Sequence, residues 1–153
     1  MVLSTSIETL LIASDHAGYM AKVELVKFIR EQFPSVKVLD LGPSSDQSVN
    51  YPEFAIKLCN ELLVDNQNEK KFGILICGTG IGMSITANRF KGVRAALCKS
   101  VDEAKLSREH NNANVLCLGS RSSSLDTLKN IVIAWFSTDF AGGRHAIRVN
   151  MIP

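Results

Sequence analysis

Short apolar runs alternate along this chain with longer segments in which apolar residues recur every three or four positions. The short runs are typical of buried β-strands, and the longer segments are typical of amphipathic α-helices. The pattern predicts strands at residues 9–14, 36–41, 72–77, 93–98 and 114–119. It predicts helices at residues 19–33, about 52–64, about 83–90, 101–109 and 122–137, with polar connections at 42–50 and 66–70 and a tail at 141–153.

The alternation of strand and helix predicts an α/β fold, a single-domain, Rossmann-like three-layer sandwich with a five-stranded parallel sheet. The 153 residues are enough for one domain, and no linker, repeat or low-complexity segment divides them. In such sheets, ligands bind beyond the carboxyl ends of the strands. Polar or reactive residues follow the predicted strands at that edge. They are Asp15, His16, Tyr51, Cys77, Thr79, Ser100, Asp102 and Arg121.

The most informative segment is KFGILICGTGIG, residues 71–82, in which an apolar strand ends at Cys77 and a glycine-rich turn opens a short helix. Such a turn presents a row of backbone N–H groups, which favours bound negative charge. A cysteine in that position is more readily deprotonated, and an oxyanion beside it is stabilised. The segment therefore predicts proton-transfer chemistry on a small anionic or carbonyl substrate.

Two other interpretations of this loop stay open. A dinucleotide-binding fingerprint requires G-x-G-x-x-G after the first strand, but Met83 stands where the third glycine is needed. A purely structural strand-to-helix turn is the other interpretation, although three glycines in five residues exceed what a turn requires. The remaining cysteines lack such a neighbour and are interpreted as structural. They are Cys59, Cys98 and Cys117.

Other polar residues have both a functional and a structural interpretation. Asp15 suits a ligand site, but aspartate is also a favoured helix N-cap. His16, at the start of a predicted helix, suits a bound phosphate. Arg144 and Arg148 are spaced i, i+4 and repel slightly on a helix, so a phosphate between them would offset the repulsion. A solvated basic tail is the alternative.

His110 poses a geometric problem. It precedes the fifth strand and so belongs to the amino end of the sheet, whereas the loop after Cys77 belongs to the carboxyl end. One compact chain would keep the two residues far apart. If His110 takes part in chemistry at Cys77, we expect a neighbouring chain to bring it there.

Composition narrows the possible functions. Lys and Arg number 17 against 15 Asp and Glu, and the basic residues form no run, which argues against nucleic-acid binding. No apolar run reaches membrane-spanning length, and residues 1–14 lack the pattern of a signal peptide. The four cysteines form no C-x-x-C pair, which gives no support to a zinc or thioredoxin-like site. We expect a cytoplasmic protein in a reducing environment.

Five blocks taken together resemble the ribose-5-phosphate isomerase B family, within the wider group that includes galactose-6-phosphate isomerases. They are SDHAG (14–18), YPEFA (51–55), ILICGTGIGMSITANRFKGVRA (74–95), LSREHNNANVLCLGSR (106–121) and GGRHAIRV (142–149). The resemblance implies one sugar-phosphate isomerase domain over residues 1–153, with phosphate-binding arginines in the tail at about 141–153. It also implies an obligate homodimer, often paired into tetramers, and no metal or organic cofactor.

The resemblance carries a role onto each matching position. Cys77 is implied to be the base that moves a proton between C1 and C2 of the sugar, because Ser84 and Ile85 offer no carboxylate for that task. The groups implied to hold the enediolate oxygen are Thr79 and the backbone of Gly78, Gly80, Ile81 and Gly82. The pair implied to open the furanose ring is His110 with Asn111. The sugar site is implied to be lined by Asp15 and Tyr51, and the phosphate to be held by His16, Arg121, Arg144 and Arg148. The family builds each site from two chains, which answers the His110 problem.

We predict an aldose–ketose isomerase that interconverts ribose 5-phosphate and ribulose 5-phosphate. One alternative is an isomerase of a six-carbon phosphosugar, such as allose or galactose 6-phosphate. Galactose-type relatives divide the work between two different chains, whereas this chain carries the full set of histidines and arginines. The second alternative is a non-catalytic, nucleotide-binding regulatory domain.

Overall fold

The computed structural model describes residues 7–64 and 70–153 as an alternation of strands and helices. The strands are β1 (Thr9–Ser14), β2 (Lys37–Asp40), β3 (Lys71–Cys77), β4 (Ala95–Leu97) and β5 (Val115–Gly119). The helices are α1 (Tyr19–Gln32), α2 (Tyr51–Leu63), α3 (Ile81–Ala87), α4 (Val101–Glu109), α5 (Leu125–Phe136) and α6 (Arg144–Val149). Most of the predicted polar connection at 66–70 lies outside the described residues.

The strands form one parallel sheet in the order β2-β1-β3-β5-β4. This confirms the predicted five-stranded parallel sheet. From β1 the chain crosses to β2 on one side and then to β3 on the other, so β1 and β3 flank the point where strand order reverses. Ser14 pairs with Ile76, and Cys77 pairs with Gly119. The carboxyl ends of β1, β3 and β5 are therefore adjacent, where ligands bind in open α/β sheets.

Apolar side chains cover both faces of the sheet, which makes the fold three-layered as predicted. Along β3, Ile74 and Ile76 point to one core with α1 and α5, while Leu75 and Cys77 point to the other core with α2 and α3. Strands buried on both faces read as continuous apolar runs rather than as alternating ones. None of the helices within residues 7–64 and 70–153 is long and apolar enough to cross a membrane.

Several element bounds differ from the predicted ones for local reasons. The third helix begins at Ile81 rather than at about residue 83, because Gly80 turns the chain directly into it. It ends at Ala87, since the Asn88 side chain exchanges two hydrogen bonds with the backbone of Ala95. The last long helix begins at Leu125, where the Ser124 hydroxyl accepts from the Thr127 N–H as an N-cap. The tail contains a sixth helix, α6.

Candidate functional site

The loop after β3 holds Cys77 beside backbone N–H groups, as the sequence predicts. The Cys77 side chain is buried, and its Sγ accepts a hydrogen bond from the Gly80 N–H at 3.1 Å. Gly80 has a φ of +77°, and a Cβ there would lie 2.5 Å from the Leu97 side chain and 2.9 Å from the Leu118 carbonyl carbon. Only glycine fits this position without strain. The Gly80 N–H that donates to the thiol is therefore positioned by a left-handed turn packed against Leu97 of β4 and Leu118 of β5.

The same loop leaves further amides available. The Ile81 N–H donates to the Thr79 Oγ1 at 3.2 Å. The amides of Gly78, Thr79 and Gly82 make no hydrogen bond to any residue that the structure describes. Consecutive amides of this kind form a concavity that binds anionic oxygen. The loop can thus present hydrogen-bond donors to an oxyanion next to the Cys77 sulfur.

Tyr51 and Arg121 close over the two ends of this loop. A Cβ on Gly82 would lie 2.6 Å from the Tyr51 ring, and a Cβ on Gly78 would lie 3.2 Å from the Arg121 guanidinium. The Arg121 N–H also donates to the Gly78 carbonyl at 2.9 Å. The two side chains therefore lie in contact with the loop, where a bound ligand would meet them.

Asp15 and His16 follow β1 beside the loop, and each already has a partner. The Asp15 Oδ1 accepts from the Gly18 N–H at 2.9 Å, so one carboxylate oxygen organises the turn before α1. The His16 Nδ1 lies 3.1 Å from the carbonyl oxygen of Val49 and 3.3 Å from its nitrogen. These contacts orient both side chains and leave the second Asp15 oxygen and the His16 Nε2 for a ligand. We call Asp15, His16, Tyr51, residues 77–82 and Arg121 the Cys77 cluster.

A second group of predicted site residues gathers around α6. The rings of His110 and His145 stack with centroids 4.2 Å apart and planes within 10°. A cavity of about 290 Å³ has six lining residues. They are His110, Asn111, His145, Arg148, Val149 and Ile152. Arg144, exposed at the first turn of α6, completes what we call the His110 cluster, namely His110, Asn111, Arg144, His145 and Arg148.

His145 is the residue of this cluster to which the sequence analysis gave no role. Desolvation and the neighbouring charges of His110, Arg144 and Arg148 lower the pKa of His145, against an opposing effect of Glu109. Its imidazole therefore stays neutral to a lower pH than a free histidine. The signal in the sequence was the histidine in GGRHAIRV, but only the structure reveals its ring partner.

No hydrogen bond or ring contact among the described residues joins the Cys77 cluster to the His110 cluster. Cys77 lies at the carboxyl end of β3, which is level with Gly119 at the end of β5. His110 precedes the first residue of β5, Val115, and the strand alone spans about 13 Å at roughly 3.3 Å per residue. The separation expected from the sequence is thus present in the single chain.

The other cysteines lie in environments that keep them protonated. Burial raises the pKa of Cys59 to about 12 and the pKa of Cys98 to about 11, and it raises the pKa of Cys117 well above its usual value. A protonated, buried thiol is a poor base and behaves as a small apolar side chain. Within residues 7–64 and 70–153, no group of three or more His, Cys, Asp or Glu could hold a metal ion.

Comparison with known proteins identifies the family. A family model described as Ribose/Galactose Isomerase matches residues 10–152. The chain belongs to the ribose/galactose isomerase family. It is 44% identical over 138 residues to ribose-5-phosphate isomerase B of Escherichia coli, covering 90% of this chain and 89% of that protein. It is 41% identical to a putative sugar phosphate isomerase of Rickettsia bellii, covering 92% and 94% of the two chains.

Solved structures of this isomerase family agree with the fold. The structure of ribose 5-phosphate isomerase B from Anaplasma phagocytophilum matches with a TM-score of 0.90 and 44% identity, over 98% of this chain and 99% of that one. The isomerase B from Clostridium thermocellum matches with a TM-score of 0.87 and 43% identity, over 94% of both chains. The resemblance predicted from the sequence blocks is confirmed, and a sugar phosphate is the substrate class of this isomerase family.

Proposed function

We propose that this chain interconverts ribose 5-phosphate and ribulose 5-phosphate. The observation that carries the proposal is the Cys77 sulfur, which accepts the Gly80 N–H at 3.1 Å in a loop with further free amides. That arrangement occurs in a chain 44% identical to a ribose-5-phosphate isomerase B. The names of the relatives favour the five-carbon sugar over a six-carbon one, and none of those reported above supports a nucleotide-binding regulator.

The geometry of the Cys77 cluster supports the proton transfer that we propose. In the open-chain aldose, the Cys77 thiolate takes the proton from C2, and the electron pair of that C–H bond forms the enediolate. The same sulfur then returns a proton to C1, while a proton passes between O2 and O1. The enediolate oxygen is stabilised by the Thr79 hydroxyl and by the loop amides that have no partner among the described residues, those of Gly78, Thr79 and Gly82, while the Gly80 N–H donates to the sulfur and the Ile81 N–H to Thr79 Oγ1. Each preorganised donor of this kind is worth about 3 kcal/mol or more in the transition state.

Ring opening is a separate step that needs its own acid–base group. Ribose 5-phosphate rests as a furanose, so a proton must leave the anomeric hydroxyl and another must reach the ring oxygen before the carbonyl is free. We assign this step to His110, assisted by Asn111. The phosphate is held by His16, Arg121, Arg144 and Arg148, and the sugar is lined by Asp15 and Tyr51. Binding of the phosphate, which is remote from C1 and C2, orients these reacting carbons.

We further propose that each active site combines the Cys77 cluster of one chain with the His110 cluster of a second copy, in a homodimer or a pair of dimers. Exposed apolar side chains beside both clusters support this proposal. Ile81 and Ile85 on α3 are 46% and 55% exposed, and Ile147 and Ile152 are 68% and 54% exposed. Burying such residues against a partner is favourable. A cytoplasmic location is part of the proposal, supported by four free cysteines.

Mixing two inactive variants tests the shared site. We expect Cys77→Ala chains and His110→Ala chains, after subunit exchange, to recover activity that neither has alone. Half of the randomly formed dimers are mixed, and each mixed dimer has one intact site, so recovery should approach about a quarter of wild-type activity. The readout is turnover of ribose 5-phosphate before and after exchange. Absence of recovery, with exchange verified by mass spectrometry, would contradict sites shared between chains.

The substrate is tested by comparing turnover of ribose 5-phosphate with turnover of allose 6-phosphate. We expect kcat/KM to be higher for the five-carbon sugar by about tenfold or more, because a site shaped for one sugar length misplaces the reacting carbons of the other. Thermal shifts with ribose 5-phosphate, ATP and NAD serve as the control for the regulatory alternative. Faster turnover of allose 6-phosphate, or stabilisation by a nucleotide alone, would overturn the proposed function.

A further inference from the structure

The turn that follows His110 contains a residue in an unusual backbone conformation. Asn112 has a φ of +46°. Within residues 7–64 and 70–153, no other residue except glycine has a positive φ. Its N–H donates to the Arg108 carbonyl at 3.1 Å, which ends α4 in a left-handed cap. Residues other than glycine are strained there, although asparagine tolerates the conformation better than most. Because His110 and Asn111 lie in the turn just before it, their directions depend on how firmly Asn112 is held.

The buried side chain of Arg108 holds this turn by hydrogen bonds. It is only 4% exposed, and its Nη1 donates to the Asn112 Oδ1 at 3.1 Å and to the Ala113 carbonyl at 2.5 Å. Its guanidinium carbon lies 4.8 Å from the centroid of the Phe72 ring and 5.7 Å from that of Trp135. The ion pairs found in the described chain do not include Arg108.

A buried cation without a bonded carboxylate is costly for stability, and an apolar side chain would fill the same space at a lower cost. Burial lowers the pKa of Arg108 to about 10, with Asp139 acting to raise it and Arg94 to lower it further. The guanidinium is therefore still charged at neutral pH. Packing alone does not account for an arginine here.

Further hydrogen bonds connect Asn112 and Arg108 to neighbouring segments of the chain. The Arg94 Nε donates to the Asn112 carbonyl at 2.8 Å, so a second guanidinium, from the segment before β4, holds the same residue. On its other side, the Arg108 Nε donates to the Thr138 carbonyl at 3.3 Å, and the nearby Ala141 N–H donates to the Glu109 carbonyl at 3.1 Å. Arg108 thus links the end of α4 to the segment that leads into α6, which carries His145 and Arg148.

We propose that Arg108 and Arg94 are positioning residues for ring opening, which hold Asn112 in its left-handed conformation and so aim His110 and Asn111 at the sugar ring. Neither guanidinium needs to touch the substrate, because both act through Asn112. The inference rests on the proposed function, in which His110 opens the furanose. It adds that the direction of the imidazole is set by a buried arginine rather than by α4 alone.

The test uses two reactions that differ in their need for ring opening. Ribulose 5-phosphate has no hydroxyl free to close a furanose, so exchange of its C1 proton with deuterated water needs the Cys77 base, the loop donors and the phosphate-binding groups, but no ring opening. Turnover of ribose 5-phosphate needs ring opening as well. We expect Arg108→Met to lower kcat for ribose 5-phosphate by about tenfold to a hundredfold, the effect of a displaced catalytic group, while C1 exchange changes by less than about threefold.

A second substitution distinguishes a positioning role of Arg108 from a general loss of protein stability. Glycine adopts a positive φ without strain, so Asn112→Gly added to Arg108→Met should restore a large part of the lost turnover, whereas Asn112→Ala alone should reproduce the loss. Ile29→Ala, a buried change on α1, is the control for lost stability and should leave the ratio of the two rates unchanged. If Arg108→Met does not fold, Arg94→Met, at a half-buried position, tests the same grip through the bond to the Asn112 carbonyl.

The outcomes distinguish this inference from the proposed function. Equal losses in turnover and exchange, or no rescue by Asn112→Gly, would overturn the positioning role. If His110→Ala separates the two rates but neither arginine variant does, only the positioning inference falls. If His110→Ala itself fails to separate them, the assignment of ring opening to His110 falls, and the positioning inference falls with it.

Discussion

Cys77→Ala is expected to abolish exchange of the C1 proton of ribulose 5-phosphate while the protein stays folded and still binds the sugar phosphate. The sulfur is the group nearest to the loop amides that can accept a proton, and Gly80 donates to it at 3.1 Å. Removing a general base typically costs a factor of about 10² to 10⁴ in rate. Loss of the loop's oxyanion binding is not expected, because alanine leaves the backbone of residues 78–82 in place. Exchange is followed by proton NMR in deuterated water.

Cys59→Ala is the matched control for this variant. Cys59 is also buried, also a free thiol and part of the same apolar core as Cys77, but burial raises its pKa to about 12. Its removal should leave exchange unchanged within about twofold, because a thiol with so high a pKa is not a base at neutral pH. Exchange at the wild-type rate in Cys77→Ala would remove that cysteine from the mechanism.

His110→Ala is expected to slow turnover of ribose 5-phosphate much more than exchange of the C1 proton of ribulose 5-phosphate. Turnover of ribose 5-phosphate should fall by about 10² to 10⁴, the usual contribution of a general acid–base group, whereas C1 exchange on ribulose 5-phosphate should be nearly unchanged. The reason is that the ketose phosphate is already open and bypasses the step assigned to His110. The ring of His145 stacks on that of His110 at 4.2 Å, so the double variant His110→Ala, His145→Ala shows whether His145 supplies any turnover that remains.

Lys105→Ala provides the control on the same helix, since this side chain is exposed on α4 and belongs to neither cluster. Both rates should stay at the wild-type level in that variant. If His110→Ala instead lowers turnover and exchange by the same factor, the histidine acts on binding or on proton transfer, and another group must open the ring.

Much of the fold was predictable because its signals are local. The first strand has the predicted bounds, Thr9–Ser14, and the helix Val101–Glu109 agrees at both ends. Some of the differences arise where a side chain or a glycine competes with the regular backbone pattern. Asn88 hydrogen-bonds across to Ala95 and shortens the helix before it. The tail forms α6, which the sequence pattern did not predict as an element.

The candidate site was predictable where it follows from strand ends, and not where it depends on side-chain partners. Cys77 is the last residue of β3 and Arg121 comes shortly after the end of β5, so a parallel sheet brings them to one edge. The Asp15 carboxylate could cap a helix or face a ligand, and only the structure shows that one oxygen serves the Gly18 N–H. The grip of Arg108 on Asn112 has no sequence pattern of its own.

By itself, the sequence determined the alternation of strands and helices and the placement of a cysteine before a glycine-rich turn, because apolar periodicity and glycine act over a few residues. Only the tertiary structure decided that β5 lies between β3 and β4, which brings Arg121 onto Gly78, and that His145 stacks on His110. These contacts join residues far apart in the chain. They depend on which apolar surfaces pack best together, and a local sequence pattern does not predict this packing.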